Sequence, residues 1–271
     1  MLYACMIRIA KTSDEGRHEM TTDKETGKDT GLPNSIGVLW ELRNREQRTA
    51  RTGLSVERIV TAAIESADTD GLAGLSMSRV AKSLDFGTMS LYRHVSSKDE
   101  LRQLMLDMAY GTPPRIDTEA GDWRAGLEQW ARAFQEVFRR HPWMLEISVS
   151  GPPLEPGQLS WLECGLRTLG GTSLRPDEKL SVMMLMIGYV RNYAQLSLGV
   201  VAEDISEADL MANYGRTLAK YADPVSFPAL AELLEAGVFE KSEDDFTFGL
   251  QRVLDGVEVL ARIRKGEKPL S

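Results

Sequence analysis

Two short amphipathic segments, residues 76–84 and 88–95, are separated by only three residues, and this spacing constrains the chain more than any other feature. The first carries Met77, Val80, Ala81 and Leu84 at helical intervals. It breaks at Asp85-Phe86-Gly87, and the second segment offers Leu91 and Val95 as apolar anchors. Two short helices joined by so tight a turn form a helix-turn-helix, and Ala81 is small enough to let them cross closely. Upstream, Val56, Ile59, Val60, Ala63, Ile64 and Ala67 line one face of a longer helix. Ser55 can cap its start and Gly71 can end it. Downstream, Ser97-Lys98-Asp99-Glu100 reads as a capping box. It opens a fourth helix that buries Leu101, Leu104, Met105 and Met108, and Gly111-Thr112-Pro113-Pro114 stops it.

A helix that enters the DNA major groove must be short, polar outward and apolar inward. Thr88, Ser90, Tyr92, Arg93 and His94 supply the polar set. The net charge of −8 argues against nucleic acid, but it hides an asymmetry. Residues 43–111 hold ten Lys/Arg against nine Asp/Glu, whereas residues 112–271 hold 17 against 24. A non-acidic reader joined to an acidic regulatory segment suits a DNA-binding regulator. Arg43, Arg45, Arg48 and Arg51 form a basic arm ahead of the first long helix. Two readings of it stand: a contact to the minor groove or phosphates, or a solvated tether.

The remainder reads as longer helices at about 122–140, 158–169, 177–202, 207–222 and 244–264, without useful strand alternation. Within the third of these, the run Val182-Met183-Met184-Leu185-Met186-Ile187 is apolar all round and therefore buried on several sides. The last helix has an apolar stripe of Phe246, Leu250, Val253, Leu254, Val257, Leu260 and Ala261. The fold expected is all-α: a three-helix helix-turn-helix domain at 43–111, and a larger helical ligand-binding and dimerisation domain at 112–271. Residues 1–42 are expected to be a flexible extension, and Met20 is an alternative start.

Catalytic and metal chemistry find little purchase. GxSxG, P-loop, GxGxxG and HExxH patterns are missing, and His18-Glu19 is followed by Thr22 where a second His would be needed. Cys5 and Cys164 are the two cysteines, with no CxxC pair. No enzyme activity, cofactor or metal is expected. Neither a signal peptide nor a bilayer-spanning run is read, so a cytoplasmic protein is expected.

The run Met89-Ser90-Leu91-Tyr92-Arg93-His94-Val95 with Lys98-Asp99-Glu100-Leu101, following Leu75 to Leu84, resembles the tetracycline-repressor (TetR) family. Gly151-Pro152-Pro153-Leu154 and Gly188-Tyr189-Val190-Arg191-Asn192 resemble the C-terminal domain of that family's tetracycline-repressor subgroup. The resemblance implies a homodimeric repressor of a near-palindromic operator, released by a small-molecule effector. It places Ser78, Arg79, Thr88, Met89, Ser90, Tyr92, Arg93, His94 and Lys98 at the DNA, Lys98 at a helix N-terminus that favours phosphate. It also makes the two apolar helices an intersubunit four-helix bundle, where the residues alone leave a monomer core open. Met105, Trp130, Phe134, His141, Trp143, Trp161, Met183, Tyr189 and Tyr193 are candidates to line an effector pocket, plain core being the other reading. Asp85 departs from the family's glycine in the turn. Asp tolerates a left-handed turn but adds negative charge near DNA, which keeps a rival open: a small-molecule-binding protein with a vestigial helix-turn-helix.

Overall fold

Three helices of the chain begin where a serine caps them. The structure, a computed structural model, describes residues 34–45, 53–117, 121–148, 153–202, 207–240 and 244–267. Among these residues it is all helical: α1 (Asn34–Arg45), α2 (Val56–Asp70), α3 (Met77–Ser83), α4 (Thr88–Tyr92), α5 (Lys98–Tyr110), α6 (Trp123–Arg140), α7 (Pro156–Thr168), α8 (Pro176–Ala202), α9 (Glu207–Tyr221), α10 (Pro228–Glu235) and α11 (Asp245–Arg264). Two compact units emerge, one drawn from residues 1–115 and 140–164, the other from 116–139 and 165–271.

In the first unit, Ser55, Ser76 and Ser97 each accept a bond from the backbone N–H three residues on, at the starts of α2, α3 and α5. Each satisfies one of the donors a helix leaves open, worth about 1 kcal/mol. The core of this unit is apolar and close-packed, with Ile59, Val60, Ala63, Leu101, Leu104 and Met105 all wholly buried. Leu106, Ala109 and Tyr110 are buried as well, while Met108, expected inside, is only half-buried. A 3-10 turn at Pro142–Glu146 is tied to α2 through Asp68: Trp143 Nε1 donates to Asp68 Oδ1 at 2.7 Å, and His141 Nδ1 lies 2.8 Å from the same oxygen.

One element corrects the sequence reading. Residues 34–42, assigned to a flexible extension, belong to helix α1. Ile36, Leu39 and Leu42 recur every three residues and are buried, and α1 packs on α5. Its outer side chains reach the start of α7. Trp40 Nε1 donates to the Leu154 carbonyl at 3.2 Å. Arg43 donates to the Pro156 carbonyl at 2.8 Å and to Ser160 Oγ at 2.6 Å. From α5, the buried Asp107 accepts bonds from the Gly157 N–H at 2.8 Å and the Gln158 N–H at 3.3 Å, capping α7. Helices α1 and α5 thus grip the same end of α7.

The second unit is built on α6, which buries Leu127, Trp130, Ala131, Phe134, Val137 and Phe138. Glycine lets helices approach here: a Cβ on Gly126 would meet Thr168 Cγ2 at 2.6 Å, and one on Gly165 would strike Met183. Helix α8 turns Val182, Met183, Met186 and Val190 inward, and α11 does the same with Phe246, Leu250, Leu254, Val257 and Ala261. Tyr189 binds the two together by donating to the Phe246 carbonyl at 2.8 Å. Arg124 on α6 pairs with Asp255 at 2.6 Å and Glu258 at 3.2 Å on α11.

Asp107 is the one buried acid among the described residues. Burial raises its pKa to about 6, against the pull of the Gln158 and Gly157 N–H groups, with Glu155 adding to the rise and Arg43 opposing it. The folded protein therefore holds this proton more tightly than the unfolded chain does. Asp107 favours folding fully below about pH 4, and that contribution is lost as pH rises through about 6. Asp107→Asn keeps an acceptor for both N–H groups and removes the titration. It is expected to raise stability at pH 7 by about 1–3 kcal/mol, and to flatten the slope of stability between pH 4 and 7. Urea denaturation across that pH range checks it; a variant less stable than wild type at pH 7 contradicts the assignment.

Candidate nucleic-acid interface

The turn between α3 and α4 sets the direction in which α4 points. Helix α3 ends at Leu84, and Asp85 takes a left-handed conformation with φ 60°, alone in this among the described non-glycine residues. The Phe86 N–H then reaches back to the Ala81 carbonyl at 3.0 Å, and the Asp85 N–H to the Lys82 carbonyl at 3.2 Å. This pair of bonds is a Schellman closure. Asp85 occupies the position glycine favours, and the turn forms nonetheless. The charge concern remains, but the geometric ground for a vestigial reader does not.

Helix α4 is shorter than its sequence pattern suggests: Thr88–Tyr92 rather than 88–95. Arg93 and His94 lie in the turn that closes it, where the His94 and Val95 N–H groups both bond the Leu91 carbonyl at 2.9 Å. Leu91 and Val95 are wholly buried and fasten the segment to the domain. Met89, Tyr92, Arg93 and His94 are exposed, while Thr88 and Ser90 are half-buried beside them. Lys98 stands half-buried in the first turn of α5. Its capping box is displaced by one residue: Ser97 accepts from the Glu100 N–H, but the Glu100 carboxylate takes the Ser96 N–H, at 2.6 Å, rather than that of Ser97. Ser78 is exposed and shares a bond with Ser76. Arg79 already has partners, Asp70 Oδ2 at 2.9 Å and the Gly74 carbonyl at 3.2 Å, so it braces the turn after α2.

The other candidates distribute differently. Of the basic arm, Arg43 engages α7, while the side chains of Arg45, Arg48 and Arg51 lie outside the described residues. The nine pocket candidates fall into both units. Met105, His141, Trp143 and Trp161 belong to the first, where Trp161 donates to the Tyr110 carbonyl at 2.9 Å. Trp130, Phe134, Met183, Tyr189 and Tyr193 belong to the second, where Trp130 stacks on Phe134 at 4.8 Å and both tyrosines pack on Phe246. A cleft of about 310 Å³ in the first unit is lined by other residues, among them Leu72, Arg102, Gln103 and Glu146. Sequence reasoning missed Asp68 and Asp107. The signal for Asp107 was an acid three residues after Leu104 on the inward face of α5. Among the described residues no acidic, His or Cys cluster is arranged to hold a metal ion, and no helix is long and apolar enough to cross a membrane.

A short helix presented outward by a Schellman turn, on a small serine-capped bundle, defines a helix-turn-helix transcriptional regulator. Residues 59–105 match the profile of bacterial regulatory proteins of the tetR family, and residues 114–261 that of the tetracycline repressor-like C-terminal domain. The chain belongs to the TetR family. It is 36% identical, over 95% of its length and 97% of the relative's, to the HTH-type transcriptional repressor DrrR1 of Streptomyces coeruleorubidus. It is 29% identical to an HTH-type transcriptional regulator of Saccharopolyspora erythraea, over 78% of this chain and 86% of that one. Among solved structures, the TetR family protein ActR of Streptomyces coelicolor in complex with actinorhodin matches with a TM-score of 0.65 and 27% identity, covering 78% of this chain and 98% of that one.

Asp85 yields a direct test of the turn. An L-residue held left-handed is strained by about 1 kcal/mol, somewhat less for Asp. Asp85→Gly is expected to stabilise the protein by about 0.5–1 kcal/mol and, by removing a charge, to tighten DNA binding at low salt. Thermal denaturation and a DNA titration check the two effects. A destabilised Asp85→Gly variant contradicts the assigned turn.

Proposed function

We propose that the protein acts as a homodimeric repressor whose two α4 helices read the half-sites of a near-palindromic operator. A small-molecule effector bound by the larger domain releases it. The reader is assigned to residues 43–111 and the effector and dimerisation functions to residues 112–271. The observation that carries this reading is α4 with its closing turn: Leu91 and Val95 wholly buried, with Met89, Tyr92, Arg93 and His94 exposed around them. Nothing in a structural hairpin calls for that outward set, whereas base edges and phosphates do.

Dimerisation is supported by the apolar residues that α8 and α11 leave outside. Leu185 and Leu196 on α8, and Phe248, Val259 and Ile263 on α11, are exposed. Gly188 and Gly256 open space among them, since a Cβ there would meet nothing within 4 Å. The inward stripes already serve the subunit's own core, so these outward stripes form the seam of the bundle. Repression is supported by the relationship to DrrR1, itself a repressor, and effector release by ActR, which binds actinorhodin. The effector is accordingly read as a small organic molecule, and the protein as cytoplasmic and not an enzyme. Binding of the effector shifts a pre-existing equilibrium toward a half-site spacing that no longer fits DNA. Helix α5 conveys the shift, since it carries Lys98 at one end and Asp107 near the other.

Two variants test the reader. Tyr92→Ala is expected to weaken operator binding about tenfold or more. Lys98→Ala is expected to weaken binding to all sequences and to lower the dependence on salt by about one phosphate contact per subunit. Both side chains lie off the core, so both dimers fold. Gel-shift titrations at several salt concentrations measure these effects, and normal affinity in both variants removes α4 and Lys98 from the interface.

A further inference from the structure

Three large apolar side chains stand exposed within seven residues of the reader: Phe86, Met89 and Tyr92. Met89 is the extreme case of the three at 76% exposure, although methionine is among the residues most often fully buried. Its neighbours show that the domain had an apolar site to offer, since Leu91, two positions on, is wholly buried. An apolar group left outside in this way marks a surface that meets a partner.

The surroundings of Met89 favour DNA over protein as that partner. From Ser76 to Lys98 the chain carries Arg79, Lys82, Arg93 and Lys98 against a single acid, Asp85. Arg93 and His94 are exposed close by. In the major groove, most of what a base edge presents is a hydrogen-bond donor or acceptor, and a thioether has no donor and is only a weak acceptor. The apolar feature there is the C5-methyl of thymine. Methionine is unbranched and flexible enough to lay its terminal methyl against such a group. Tyr92, three residues on, shares the same face of α4.

We propose that Met89 is a specificity-determining residue that reads one thymine in each half-site through apolar contact with its C5-methyl. Tyr92 forms the second wall of that contact. The proposal rests on the reading of α4 as the DNA-reading helix and adds which base chemistry this helix selects.

Uracil differs from thymine only by the missing methyl, so it isolates the contact. The full-length protein is titrated against operator duplexes, obtained by selection from random sequence, in which each thymine of a half-site is replaced in turn by uracil. At one position the swap is expected to weaken wild-type binding about fourfold, the value of one buried methyl group. Met89→Ala is expected to be indifferent to the swap at that position, and Met89→Leu to remain sensitive. Wild-type binding unmoved by every uracil, or a Met89→Ala protein as sensitive as wild type, overturns the proposal while leaving operator binding intact. A Met89→Ala protein with changed oligomeric mass and unchanged discrimination assigns the face to protein and overturns it too. Failure of the wild-type protein to select any sequence removes the underlying reading of α4 itself, a result distinct from all of these.

Discussion

The packing of α2 against α5 is the constraint on which the reader depends. Helix α4 has five residues, far below the length at which a helix holds itself together in water. Its conformation is imposed by the side chain it buries, Leu91, by Val95 just beyond its closing turn, and by the turn that delivers it. Both need a fixed floor. Ile59, Val60 and Ala63 of α2 and Leu101, Leu104 and Met105 of α5 supply it, each of them fully excluded from water. A small protein unit of this kind cannot tolerate a loose core, because a cavity here would release α4. Alanines at 62, 63 and 67 allow the close approach, and the serine caps fix where α2, α3 and α5 begin.

The same α5 bears the second organising feature. Asp107 on α5 and Arg43 on α1 meet α7 at its N-terminus, one with the backbone N–H groups and the other with a carbonyl and a hydroxyl. The two contacts differ in kind. The carboxylate suits the helix dipole but resists burial, and burial wins, which is why its proton is held to about pH 6. The arginine satisfies backbone and hydroxyl oxygens on the exposed side. Helix α5 thus holds Lys98 at one end and a buried acid near the other, the two points on which the proposed effector response turns.

Much of this was legible in the sequence, and the exceptions have physical causes. Ser55, Ser76 and Ser97 announced their helices because capping is a local interaction between near neighbours. The amphipathic periodicity of α2, α6 and α11 placed them within a residue or two. Helix α1 escaped because only Ile36, Leu39 and Leu42 signal it, within a polar stretch whose helicity rests on burial against α5. Helix α10 escaped for a related reason: none of its residues is buried. The candidate site departs from its sequence pattern in its limits. Arg93 and His94 belong to a closing turn, and Arg79 is braced by Asp70, because such long-range or irregular contacts leave no periodic trace. Of the aromatic candidates, Trp130, Phe134, Trp143 and Trp161 are buried, and Trp161 and Trp143 bond a carbonyl and a carboxylate. Trp143 and His141 converge on Asp68, a partner more than 70 positions away that no spacing rule connects to them.

The central claim is that two copies of α4 read DNA sequence together. Affinity selection of the intact protein on a library of random duplexes tests it most directly. Enrichment of a near-palindrome whose half-site centres lie roughly 34–36 Å apart, one helical turn, is expected. Enrichment of no sequence, with binding that simply fades as salt rises, would contradict it.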